Sequence, residues 1–176
     1  GPHVTAPAHG DASALLALML LAESRADARL APDGALLTLA EQDRTRWDAD
    51  LIAEGTRLIR AQIDQARRSG QRLGQYHLTA AIHAVHASAA RPEDTDWSQI
   101  VALYDLLMTA APSPFVTLNR AIAIAEADGP DAGIRALEPV ATVLADHYAL
   151  HATRAELLTW LGRHDEARAA YTEAMA

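Results

Sequence analysis

One spacing constrains this chain more than any other feature. The segment "HATRAELLTWLGRHDEARAAYTEAM" places small Ala155, the turn residue Gly162, then Ala167, Tyr171 and Ala174 at helical intervals. Moving back 34 positions recovers an equivalent set: Ala121, Ile124 for Leu158, Gly133, Leu137 and Val140. Moving back 33 more puts Ile100, Tyr104 and Leu107 in the second-helix slots, with Pro112 closing the unit. A period of this length predicts helix pairs that cannot bury their apolar faces alone and must stack on neighbours.

Composition agrees with a helical chain. Of 176 residues, half are hydrophobic but only 5% are aromatic, so small aliphatic side chains carry the packing. Ala and Leu lead, and both favour helix. The β-branched and aromatic alternation of strands is missing. The spacing predicts helices over about 11–29, 45–68, 75–89, 96–110, 114–127, 130–144, 147–161 and 164–176. Leu51, Ile52, Gly55, Leu58, Ile59, Ile63 and Ala66 share one face of the second. The first is apolar all round in "ALLALMLLA", which calls for cover on more than one side. "PSP" places Ser113 as N-cap with Pro114 at the first helical position. Residues 1–10 read as a cleavage scar ("GPH") and lead-in. Residues 11–72 read as a two-helix part with an irregular connector, and 75–176 as three helix pairs. The start reads as that of a piece cut from a longer protein.

The helix pairs resemble tetratricopeptide (TPR) repeats, and the expected fold is an all-α, TPR-like right-handed superhelix of about eight helices. The first pair departs from that pattern in its long loop "AARPEDTD". Such a superhelix implies a scaffold for protein binding and leaves the ligand open.

Charge and composition exclude several classes. The net charge is −8 and every cation is arginine. No basic face marks a direct nucleic-acid binder. There is no cysteine, hence no disulfide, thiolate metal site or cysteine nucleophile. The longest apolar run, Ala14–Ala22, falls well short of the roughly 20 residues that span a bilayer. A bacterial cytoplasmic location is expected, with no membrane association and no cofactor.

The stretch "AEQDRTRWDAD", residues 40–50, stands apart. Acids, arginines and a tryptophan crowd into a chain that is otherwise mostly small and aliphatic. As a helix junction, Thr45 and Asp48 form a capping box. Trp47 anchors on the preceding helix, and Arg44 and Arg46 pair with Asp43, Asp50 or Glu23. As a recognition edge, Asp43, Arg44, Arg46 and Trp47 meet a partner, since Arg and Trp are favoured at interface hot spots. Asn119 and Arg120 are the second candidate. They hold a carboxylate in a repeat groove, or form a buried network fixing helix register. The pairs His83/His86 and His147/His151 have metal-ligand spacing, but no carboxylate completes a set, so no metal is expected. Glu93, Asp94 and Asp96 read as caps rather than acid–base catalysts. With no phosphate loop and no nucleophile elbow, an enzyme is not expected.

Together "LLTLAEQDRTRWDADLIAEG", "YHLTAAIHAVHASA", "DTDW", "APSP" and "LNRA" resemble the C-terminal extension of a group of extracytoplasmic-function (ECF) sigma factors. In that group a TPR-containing tail follows the promoter-binding domains. The resemblance covers about 11–176, with Ala26 standing where a basic residue is expected. It implies a regulatory interaction domain that contacts its own sigma domains and the RNA polymerase core. It implies promoter contact only through domains outside this chain, and targets near genes for small DGPF (YCII-related) proteins. The exposed edge of the first helix predicts a homodimer of the isolated chain. The alternative is a free-standing TPR adaptor or sensor for a peptide or small effector.

Overall fold

The computed structural model describes residues 9–175, with side chains from 11 onward; the expected scar and lead-in at 1–10 thus lie outside what is described, except for the backbone of His9 and Gly10. The described chain is all-helical, with one isolated antiparallel bridge between Leu30 and Leu36. It divides into two compact units with the boundary between Asp96 and Trp97.

The first unit holds α1 (His9–Glu23), α2 (Ala49–Ser69) and α3 (Gln75–Ser88), with short 3-10 turns at Ala26–Ala28, Arg44–Arg46 and Pro92–Asp94. α1 packs on both α2 and α3, and α2 packs on α3. Ala14, Ala17 and Leu21, spaced three and four apart, form the buried stripe of α1. The packing on α2 and α3 gives α1 the cover on more than one side that was expected, while Leu16 and Met19 stay 48% and 60% exposed. The close α1–α2 crossing is set by Gly55: a Cβ there would lie 2.7 Å from Leu21 Cγ and 3.1 Å from the Ala17 carbonyl.

Two helix limits differ from expectation. α1 stops at Glu23 rather than about Arg29. Ser24 turns its hydroxyl back to donate to the Leu21 carbonyl at 2.7 Å, a local bond that competes with helix propagation. α2 starts at Ala49 rather than Thr45. The Asp48 carboxylate accepts from the amides of Asp50 and Leu51, both at 3.0 Å, so Asp48 is the cap. Thr45 instead bonds to Asp43, and the capping box is not formed.

The second unit holds α4 (Trp97–Ala110), α5 (Pro114–Asp128), α6 (Pro130–Leu137), α7 (Tyr148–Trp160) and α8 (His164–Ala174). Neighbours in sequence pack on each other throughout. Ser113 caps α5 as expected, accepting from the Phe115 amide at 3.2 Å. α6 ends seven residues early, and a 3-10 turn follows at Glu138–Val140. Pro139 explains it, because proline has no N–H and its ring clashes with the carbonyl four residues back. α4, α6 and α8 begin at 97, 130 and 164, while α5 and α7 begin at 114 and 148. These starts keep the sequence period. The expected first pair, 75–110, straddles the boundary at 96/97, and α3 packs in the first unit on α1 and α2.

At the crossings the small-residue equivalences Ala121/Ala155 and Gly133/Ala167 are all buried, whereas Tyr171 is exposed where its counterpart Leu137 is buried. Ala121 and Ala155 are both fully buried. Gly133 leaves no room for a side chain there: a Cβ would sit 2.5 Å from Ala125 Cβ and 3.0 Å from the Ala121 carbonyl. Leu118, Leu137, Leu144, Leu150 and Leu157 fill the space around it.

Candidate functional site

The candidate site lies in the first unit, where the connector between α1 and α2 meets the C-terminal end of α3. Asp43 starts it. Its carboxylate accepts from the Thr45 amide at 3.0 Å and the Thr45 hydroxyl at 2.6 Å, which closes the 44–46 turn. These bonds hold its pKa below the usual carboxylate range. The turn projects Arg44 toward α3.

Arg44 does not pair with Asp43, Asp50 or Glu23. Its Nη1 donates to the carbonyls of His86 at 2.7 Å and Ala89 at 2.6 Å. The last carbonyls of a helix lack partners within the helix and carry its negative dipole end, so a guanidinium suits them. The same guanidinium lies 4.6 Å from the centre of the Trp47 ring, and that of Arg25 lies at 6.0 Å. Both are within cation–π range. Trp47 itself is buried. Its backbone neighbour Asp48 donates its amide to the Ser24 carbonyl at 2.8 Å, which ties the start of α2 to the end of α1. Arg46, an exposed residue, donates from Nη2 to the Asp27 carbonyl.

Arg25 completes the arrangement. Its Nη2 lies 3.1 Å from His83 Nδ1. A guanidinium only donates, so Nδ1 accepts and the neutral ring carries its proton on Nε2. Burial first, then the neighbouring cations, lowers His83 to about 4; the same causes lower His86 to about 4, with Arg25 and Arg44 as its cationic neighbours. Burial also lowers Arg25, with Arg29 and Arg44 adding repulsion. Two shielded donors here, Arg44 Nε and Trp47 Nε1, have no hydrogen-bond partner among the described residues.

The sequence flagged Arg44 and Trp47 but missed Arg25. The signal was the i, i+3 histidine pair, weighed as a metal candidate and set aside as ordinary helix histidines. Beside three arginines, the pair is poorly placed for a cation. The other pair is split between two structural jobs: His147 Nδ1 caps α7 by accepting from the Ala149 amide at 3.2 Å, while His151 Nε2 meets the Ala145 carbonyl at 2.5 Å. Among the described residues no group of three His, Cys, Asp or Glu is disposed to hold a metal.

The second candidate holds a carboxylate of its own chain rather than forming a register-fixing network. Arg120 Nε donates to Asp105 on α4 at 2.6 Å, and Asn119 is exposed, so no buried Asn–Arg network forms. Glu93 and Asp94 are not caps either; Arg91 holds Asp94 through two bonds of 2.8 Å and Glu93 at 3.3 Å.

Comparison with known proteins adds two matches. The profile of a family of unknown function (DUF6596) matches residues 3–63, which include Arg25, Arg44 and Trp47. An uncharacterized protein of Rhizobium meliloti (strain 1021) is 44% identical over 170 residues, covering 97% of this chain and 39% of the relative. The chain thus spans about two fifths of the length of the relative it matches. No solved structure matches. No helix among the described residues is long and apolar enough to cross a membrane.

Proposed function

We propose that this chain is a regulatory protein-interaction domain of an ECF sigma factor, built partly from TPR-like helix pairs. It controls transcription initiation in the bacterial cytoplasm by contacting the sigma domains or the RNA polymerase core. The observation that carries the reading is the helix phase of the second unit, with starts at 97, 130 and 164 and at 114 and 148. That phase suits stacked helix pairs whose work is binding. The motifs "EQDRTRWD", "APSP" and "LNRA" link it to the sigma-factor tails. The greater length of the Rhizobium relative leaves room for further domains beside a region like this one.

In this reading the tail acts within its own protein. Docking on the sigma domains shifts the balance of conformations that can bind a promoter, by as much as its affinity differs between them. Leu15, Leu16 and Met19, exposed together on α1, support a homodimer of the isolated chain. Light scattering of the pure chain tests that point, and a monomer at high concentration removes it.

The deciding experiment is calorimetric titration of this chain into the tail-less sigma domains from the same gene, with and without core polymerase. Saturable binding is the expected result. Absence of heat with both partners overturns the proposal and favours a sensor of a peptide or small effector.

A further inference from the structure

The geometry points to an anion-binding site at Arg25, Arg29 and Arg44 beside the Trp47 ring, one that takes the carboxylates of an acidic, partly apolar protein segment. The inference rests on reading this stretch as an interface, and it names the chemistry of the occupant.

The first observation is a charge imbalance. The chain is acidic overall, and Arg57, Arg67, Arg91, Arg120, Arg163 and Arg168 all have carboxylate partners. No such ion pair reaches Arg25, Arg29 or Arg44 among the described residues; Arg46, Arg60, Arg68, Arg72, Arg135 and Arg154 lack one too, but only the first three lie close enough together for Arg29 and Arg44 to repel Arg25. Instead they spend donors on neutral acceptors: His83 Nδ1, the Ala22 carbonyl, and the carbonyls of His86 and Ala89. Like charges gathered in a half-buried place are costly, and the nearby acids Glu93 and Asp94 offset this at Arg44 but not at Arg25.

The second observation is independent of charge. Arg44 Nε and Trp47 Nε1 are shielded donors without an acceptor among the described residues. Buried donors are normally satisfied, and leaving one open costs about 1–3 kcal/mol. Neither atom presents surface to solvent, so a carboxylate meets them only with a small shift of the 44–47 connector; its oxygens then suit both kinds of donor. The guanidinium of Arg44 is already held by two carbonyls and the indole, so little side-chain freedom remains to be lost on binding.

The third observation selects a protein segment over a free ion. Leu30, next to Arg29, is 50% exposed, and Leu36, bridged to it, is 81% exposed. A small anion makes no use of exposed leucines. A segment carrying glutamates interspersed with apolar residues uses both.

The test is NMR on the whole 15N-labelled chain, following the Trp47 indole N–H. The probe is a synthetic peptide of alternating Glu and Leu, with its Gln-for-Glu counterpart and inorganic phosphate as separate arms. The Glu peptide is expected to move the Trp47 signal saturably, with binding weakened by added salt. Arg29→Gln is expected to weaken it about tenfold, the usual scale of one charge-assisted contact. Arg57→Gln, at an exposed arginine paired with Glu54, leaves it unchanged. If Arg29→Gln misfolds, Arg25→Gln and the salt series carry the same comparison. An unmoved Trp47 signal, or equal binding of the Gln peptide, overturns the site. Phosphate binding as tight as the Glu peptide overturns the protein-segment assignment. Sigma-domain binding indifferent to Arg29→Gln would sink this inference and leave the proposed function standing. Peptide binding without sigma-domain binding would do the reverse.

Discussion

Arg44 and Trp47 stack, with the guanidinium carbon 4.6 Å from the ring centre, while the Arg44 Nη1 bonds to the carbonyls at the end of α3. One side chain therefore joins the connector, the indole and a helix terminus. Truncating it should loosen all three.

Arg44→Ala is expected to destabilise the first unit by about 2–3 kcal/mol, from lost charge-assisted bonds and the ring contact. Arg44→Lys should recover less than half, since an ammonium lacks the planar fork. Urea unfolding followed by Trp47 fluorescence measures both. A lysine variant as stable as the wild type would rule out the fork geometry as the cause.

Asp48 and Thr45, both near the junction, have separable roles. Asp48→Ala should cost about 1 kcal/mol, the usual loss of a helix N-cap. Thr45→Ala should cost clearly less, because its hydroxyl serves an exposed turn. A larger loss at Thr45 than at Asp48 in thermal melts would return the start of α2 to Thr45.

Gly133→Ala should destabilise the second unit by about 1–3 kcal/mol. The clash 2.5 Å from Ala125 Cβ outweighs the helix-propensity gain of roughly 1 kcal/mol. Gly162→Ala should cost about 1 kcal/mol for a different reason, its φ of +71°. Denaturation read at Trp160 checks both. A stabilised Gly133→Ala would mean that α5 and α6 separate easily.

Acid should weaken the first unit through His83 and His86. Their folded values, about 4, lie below the ordinary 6.5, so the unfolded chain binds more protons between those limits. The contribution is fully present above about 6.5 and is lost as pH falls toward 4. It amounts to roughly 3 kcal/mol per histidine at most. His83→Gln with His86→Gln should flatten the stability profile across that window. NMR titration of either ring near 6.5 would contradict the burial argument.

Much of the fold was legible because it rests on local rules. The face from Leu51 to Ala66, the Ser113–Pro114 start of α5 and the positive-φ turn at Gly162 all follow from side chains close in sequence. The site was legible only in part. Composition drew attention to Arg44 and Trp47, yet the partners expected for Arg44 were nearby acids. The actual acceptors lie 42 and 45 residues away. Arg25 carried no local signal, because its meaning depends on His83, 58 residues distant.

By itself, the sequence determined that the chain is helical, where most helices begin, and that its later part repeats at 33–34 residues. Periodicity and capping are properties of neighbouring residues, so a linear reading reaches them. Only the tertiary structure decided that Gly133 is required at a crossing, and that Arg25, Arg44, Trp47 and His83 share one place. Those outcomes depend on which distant backbone and side-chain groups packing brings within bonding distance.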